Sequence, residues 1–154
     1  MAEALLNYRG GTRFEAFSAG SSPAGFVHPL TIQTLRDLHI PLGKLVSKSW
    51  TEFKDQPFDA VITLCAAARD DICPVWPPPS QGALPARAHW GFDDPIGAWA
   101  LGEEKEREEF RRVRDAIRRC IEHLATAPDS VIGDDAAFAA LVRKIAEDAP
   151  NPEE

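Results

Sequence analysis

Cysteine is scarce in this chain, with three residues in 154, and no apolar run approaches the roughly 20 residues needed to cross a bilayer. Three thiols are too few for a disulfide framework, so they read as free thiols, metal ligands or redox groups. Cys65, Cys73, Cys120 and the histidines His28, His39, His89 and His123 form no CxxC or HxxxH pair. A structural zinc site needs about four clustered ligands, so neither metal nor cofactor is expected. There is no internal repeat. No leader pattern is visible either: Met1 runs into Ala2-Glu3-Ala4-Leu5-Leu6 with no basic stretch or cleavage motif, and the expected compartment is the cytoplasm. Positive charge is also short, with 17 Lys and Arg against 24 Asp and Glu and a net charge of −7. An acidic domain repels a phosphate backbone unless its basic residues segregate. The densest basic stretch, Arg107 to Arg119, is interleaved with Glu108, Glu109 and Asp115 and reads as a solvated helix face. Neither a nucleic acid nor a membrane is an expected partner.

What is present is ordinary for a globular protein. Hydrophobic residues make up 44%, and the length suits one domain with a real core. Ala2 to Tyr8 reads as a helix ended by Gly10-Gly11, and Arg13-Phe14-Glu15-Ala16-Phe17 alternates like a strand. Pro29 suits the first turn of a helix whose buried face is Ile32, Leu35 and Leu38. The β-branched run Phe58 to Leu64 reads as a parallel strand covered on both faces, and Ala88 to Phe92 as the last strand. The stretch between Cys65 and Arg87, with Trp76-Pro77-Pro78-Pro79, is long for an irregular connection.

Glu103 to Leu124 is the clearest helix, with Phe110, Val113, Ile117, Cys120 and Leu124 on one stripe and acidic residues in its first turn. Asp134 is placed to cap a final helix carrying Phe138, Leu141, Val142 and Ile145, followed by a loose tail at 151–154. Strands alternating with helices imply an α/β fold with a parallel sheet flanked by helices.

Two features carry chemistry. Cys65 closes the run Ala60 to Leu64, and Cys73 follows eight positions later, ahead of Pro74. Eight residues of extended chain span roughly 26 Å. A disulfide wants Cα atoms about 5.5–6 Å apart, so a Cys65–Cys73 bond needs a loop that folds back. Ala66-Ala67-Ala68-Arg69-Asp70-Asp71, all of the intervening stretch but Ile72, has no β-branched residue to stiffen it, and Arg69 favours a nearby thiolate. Spacing alone leaves open a buried Cys65 and an unrelated Cys73. Cys120, on a helical stripe, reads as core.

The second feature is His89-Trp90-Gly91-Phe92-Asp93-Asp94-Pro95. Functional groups gather just past the carboxyl ends of parallel strands, where Asp94, shielded by Trp90 and Phe92, suits a general acid. A turn-initiating Asp-Asp-Pro is the alternative. His89, a lone histidine amid aromatics, reads as a structural residue.

The order Met1-Ala2-Glu3-Ala4, Ser18-Ala19-Gly20, Val61 to Cys65, Cys73-Pro74 and His89 to Pro95 resembles the thioredoxin-coupled arsenate reductases of the low-molecular-weight tyrosine phosphatase fold. The likeness covers roughly Met1 to Ala125. It implies a three-layer α/β domain over residues 1–127, with 128–154 as a helical extension and tail.

The resemblance further implies a relay. A first cysteine in a C-x5-R loop attacks arsenate, Cys65 attacks that sulfur as arsenite leaves, and Cys73 closes a Cys65–Cys73 disulfide. Thioredoxin or a glutaredoxin then reduces this disulfide, and Asp94 is the acid that protonates the leaving oxygen. The family also holds a monovalent cation near its loop. Glu3 and Ser18 match two ligands of that cation, while Lys48 falls where a third, an aspartate, is expected. An ammonium in place of the cation implies activity insensitive to potassium; a surface lysine is the alternative.

One departure is large. No cysteine of the chain has an arginine six positions on: the residues there are Asp71, Pro79 and Thr126. The resemblance therefore implies that the nucleophile loop and the first, central strand of the sheet are missing and lie upstream of Met1. It also implies that the chain as given does not reduce arsenate. Two further readings stand beside the reductase. One is a phosphatase of the same fold, although Pro95 leads into Ile96-Gly97-Ala98 where those enzymes place tyrosine. The other is a non-catalytic binding module on the same scaffold.

Overall fold

The computed structural model describes residues 1–65, 75–77 and 84–149. These residues form two units, each with its own packing. One comprises Met1–Trp50 with Asp94–Ala125, the other residues 51–93 with 126–149.

The first unit is helical. Its spine is α3 (Glu103–Ala125), against which α1 (Ala2–Gly10) and α2 (Pro29–Asp37) pack. The stripe expected for α3, Phe110, Val113, Ile117, Cys120 and Leu124, is buried and is joined by Ile121, and Leu5 of α1 and Leu35 of α2 are also buried. Burying each large side chain stabilises by about 1.5–3 kcal/mol, which makes this stripe the main source of stability in the unit. Arg114 is the charged exception on α3. It is 7% exposed, and it donates to the Thr34 carbonyl oxygen at 3.2 Å and to both carboxylate oxygens of Asp115 at 3.1 and 2.9 Å. A buried guanidinium is tolerable only with such pairing.

The ends of these helices follow local chemistry. Pro29 opens α2 as expected, and the His28 Nδ1 accepts from the Leu30 N–H at 3.3 Å in place of a usual Ser, Thr or Asp cap. Its C-terminus is a Schellman turn: Ile40 N–H donates to the Leu35 oxygen and His39 N–H to the Arg36 oxygen. This puts His39 at φ 55°, a position that favours glycine, with Ile40 buried near Leu35 as the accompanying apolar contact. After α1, Gly11 lies at φ 57° and ψ −127°, open only to a residue without a Cβ.

Arg13 to Phe17 is not a strand. An isolated bridge between Gly20 and Ser49 is the nearest feature of that kind. The backbone groups a strand would share with a neighbour go instead to a side chain. Ala16 N–H donates to the Asn7 Oδ1 at 2.8 Å, and the Asn7 Nδ2 donates to the Ala16 carbonyl oxygen at 2.9 Å. A carboxamide presents one donor and one acceptor, so a single Asn satisfies the residue.

The second unit carries the parallel sheet. Among the described residues it has two strands, β1 (Ala60–Cys65) and β2 (Ala86–Phe92). They run in register from Ala60–Ala86 to Thr63–His89, then slip so that Cys65 meets Phe92. Gly91, at φ 50°, takes up the extra residue as a bulge, which gives that glycine a backbone reason. The helix α4 (Asp129–Ile132) leads to α5 (Asp135–Asp148), which Asp134 caps as expected by accepting from the Ala137 N–H at 2.8 Å. Phe138, Val142 and Ile145 of α5 are buried, α5 packs on β2, and the Trp90 indole donates to the Val142 carbonyl oxygen at 3.3 Å. Phe58 stands edge-on to both Phe53 and Trp76, with ring centroids 6.1 Å apart in each pair.

β1 differs from expectation in burial. Val61 to Leu64 are half-buried rather than enclosed on both faces, and Cys65 is exposed. The cause is position: β2 occupies one edge of β1, α5 packs on β2, and no other strand among the described residues lies beyond β1. No helix among the described residues is long and apolar enough to cross a membrane.

Candidate functional site

Three of the expected residues come together in the first unit. Glu3 lies in the opening turn of α1, where the helix dipole favours a carboxylate. Ser18 reaches it from the segment after α1, its hydroxyl donating to the Glu3 Oε2. Lys48 donates to that same oxygen at 3.3 Å, and both members of the ion pair are largely buried, with side chains 17% and 16% exposed.

The backbone explains the convergence. Gly20 N–H donates to the Lys48 carbonyl oxygen at 3.0 Å and Trp50 N–H to that of Gly20 at 3.1 Å. This short parallel bridge pins Ser18-Ala19-Gly20 alongside Lys48-Ser49-Trp50. The cluster bears directly on the cation implied by the resemblance. One Glu3 oxygen already takes a hydroxyl proton and an ammonium, so this set does not fit a further cation. Among the described residues there is no group of three or more His, Cys, Asp or Glu that suits a metal ion.

Asp94 sits past the end of β2 as expected, but it is exposed, whereas Trp90 and Phe92 are buried. Its Oδ1 accepts from the Ile96 N–H at 3.1 Å and so caps the 3-10 helix Pro95–Leu101. The Asp-Pro turn read as the alternative in sequence is therefore present.

Cys65 belongs to the second unit, at the carboxyl end of β1, as an exposed free thiol. A buried structural thiol is thereby set aside. Alternation puts Thr63 on the same face of β1, and its hydroxyl hydrogen-bonds the His89 Nδ1 at 2.8 Å across the sheet. His89 is thus a satisfied structural residue, as expected. Cys73, the partner expected for Cys65, lies outside the described residues. Cys120 is buried on α3, which fits its reading as core.

Two positioning residues gave little signal in sequence. His28 caps α2, stacks on Phe110 with centroids 4.7 Å apart, and has its Nε2 3.9 Å from Glu106. Only its place before Pro29 hinted at a cap, and histidine is not a preferred one. Asn7, which holds the chain leading to Ser18, had no signal at all.

Comparison with known proteins gives a consistent picture. Residues 1–135 match the family model described as low molecular weight phosphotyrosine protein phosphatase. An arsenate reductase of Halalkalibacterium halodurans is 36% identical over 115 residues, covering 75% of this chain and 77% of that one. An arsenate reductase of Bacillus cereus (strain 03BB102) is 36% identical over 125 residues, covering 81% and 83%. Among solved structures, arsenate reductase from Archaeoglobus fulgidus superposes with a TM-score of 0.52 at 21% identity, covering 79% of this chain and 87% of the other. At that identity the superposition speaks to fold alone.

Proposed function

The chain belongs to the low-molecular-weight phosphotyrosine protein phosphatase family, and from that premise we propose that its chemistry is the reductive half of an arsenate reductase. The observation that carries this reading is the exposed Cys65 thiol at the carboxyl end of a parallel strand. Hydrolysis of a phosphate ester has no use for it, whereas thiol-disulfide exchange requires an accessible thiolate.

The electrons balance as follows. A C-x5-R thiolate bonds to arsenic(V) and one oxygen leaves as water, Asp94 supplying the proton. Cys65 attacks that sulfur, the sulfur–arsenic pair stays on arsenic, and arsenite departs. Cys73 then attacks Cys65 and frees the first thiolate. The chain is left with a Cys65–Cys73 disulfide that a cytoplasmic dithiol, thioredoxin or glutaredoxin, returns to two thiols. Glu3, Ser18 and Lys48 stabilise the base of the site, with the Lys48 ammonium doing the work of a monovalent cation.

The 154 residues contain no C-x5-R, so this polypeptide by itself carries the second and third thiols and the acid but does not start the reaction. The phosphatase description of the family model favours a second reading, hydrolysis on the same scaffold. That reading also needs the C-x5-R thiol.

Both are tested by incubating the purified chain with arsenate, NADPH, thioredoxin and thioredoxin reductase, and separately with a phosphotyrosine analogue. Neither substrate turns over on this account. In a parallel assay the pre-oxidised chain consumes NADPH once, stoichiometrically, as its disulfide is reduced. Sustained arsenate-dependent NADPH oxidation would overturn the assignment of a missing first step.

A further inference from the structure

β1 and β2 present two unlike faces. Ala60, Ile62 and Leu64 share one with Trp90, whose indole bond to the Val142 carbonyl oxygen sets α5 against that side. The opposite face carries Val61, Thr63 and Cys65 of β1 with Arg87 and His89 of β2. Cys65 is exposed there, and Thr63 and His89 are half-buried. The slip in register decides which ionisable group of β2 lies nearest the thiol. Past His89, Trp90 points to the other face, Gly91 has no side chain, and Phe92, the residue paired with Cys65, is apolar. His89 is therefore the ionisable residue of β2 closest to Cys65 on their shared face. Two residues of strand rise and one strand spacing separate them, a diagonal of roughly 8 Å between Cα atoms.

The bond to Thr63 adds a second property. A hydroxyl both donates and accepts, so the 2.8 Å contact with the His89 Nδ1 persists whether that nitrogen is bare or protonated. The ring can change charge without leaving its place. We propose that His89, anchored by Thr63, is a positioning residue for Cys65: its imidazolium stabilises the thiolate across the shared face, and its neutral form does not. The hold that satisfies His89 in the fold thus also fixes a titratable charge beside the thiol. Attack of Cys65 on a sulfur gains from that charge, a use that rests on the relay proposed above. The effect on the thiol itself stands apart from the relay. The other charges near this face are the Arg87 guanidinium, one step further from the thiol, and the Asp93 carboxylate after Phe92. Arg143 and Lys144 belong to α5, which lies against the other face. Histidine is the side-chain type that changes charge between about pH 5 and 8.

The rate at which iodoacetamide alkylates Cys65 in the reduced full chain tests this, read on its own peptide by mass spectrometry across about pH 5 to 8. A simple thiol gains about tenfold in rate per pH unit in this range. As the imidazole loses its charge, the rate for Cys65 should lag behind that rise by roughly twofold. The lag combines about threefold less thiolate, for a screened charge lost at this distance, with the greater nucleophilicity of a more basic thiol. His89→Asn keeps a donor and an acceptor for Thr63 but does not titrate, and its profile should show no lag. Thr63→Val should shrink the lag and Thr63→Ser restore it. A wild-type profile without the lag would overturn the inference, as would an unchanged lag in folded His89→Asn. If His89→Asn fails to fold, an equal lag in Thr63→Val and Thr63→Ser is as damaging. Neither arsenate nor a reductant partner enters this assay. A missing Cys65–Cys73 disulfide would therefore contradict the relay and leave the alkylation result intact.

Discussion

Glu3 is the residue on which Ser18 and Lys48 converge, and its environment makes a sharp prediction. A largely buried carboxylate already paired with an ammonium has little reason to recruit potassium. The melting temperature of the chain should be the same in potassium and sodium chloride at equal ionic strength. Lys48→Asp leaves two carboxylates side by side. It should lower the melting temperature by roughly 3 °C or more in sodium, with potassium restoring part of the loss. A potassium-specific rise in the unmodified chain would remove Lys48 from the role assigned to it.

The same residues mark how far sequence goes at this scale. Nothing in spacing joins positions 3, 18 and 48, and only the family resemblance suggested them together. Cys65 was legible because a thiol that closes an apolar β-branched run lies at a strand end. Whether it would be buried was not legible, since that depends on what lies beyond the strand.

Elements were read more securely where two signals agreed. α3 has a long apolar stripe and an acidic first turn, while α2 and α5 have Pro29 and Asp134 at their starts. Arg13 to Phe17 offered alternation alone, and alternation describes side chains rather than the fate of backbone groups. There the Asn7 carboxamide took the hydrogen bonds, a long-range contact that no local pattern encodes.

The polar side of α3 carries its own consequence. Glu122 Oε1 accepts from Arg9 of α1 at 2.6 Å and from Arg118 at 3.2 Å, and Arg118 also approaches Asp115 at 3.6 Å. The hydrogen bond from Arg9, helped by the charge of Arg118, holds the Glu122 carboxyl below its ordinary value against a smaller effect of burial. For Asp115, burial is the largest single influence and pushes upward, but Arg114 and Arg118 together outweigh it, and the net direction is again down.

Carboxyls that titrate lower when folded leave the unfolded chain binding more protons near pH 4. Their stabilisation is complete above the unfolded carboxylate range and is lost as pH falls through the folded values. Arg118→Leu should therefore lower the unfolding free energy measured by urea titration at pH 7 by about 0.5–1 kcal/mol, as for a partly exposed network. The effect should shrink progressively as pH falls through the folded values of the two carboxyls. A loss that does not change with pH would show that the guanidinium acts through packing instead.

For the whole molecule, the family and the exposed thiol point in one direction. The family model spans residues 1–135, and relatives 36% identical over 115 and 125 residues are arsenate reductases. Within the chain, the groups assigned to reduction divide between the units. Asp94 and the Glu3 cluster belong to the helical one and Cys65 to the sheet. Along the chain these motifs alternate between the units, and the family was readable from their order in sequence rather than from the division.

A reductase role for this chain requires that Cys65 and Cys73 be redox partners. Peptide mapping by mass spectrometry after mild oxidation of dilute protein answers this directly. A linked Cys65–Cys73 pair with Cys120 left free is the result expected. Both thiols remaining free, or Cys65 pairing instead with Cys120, would contradict it.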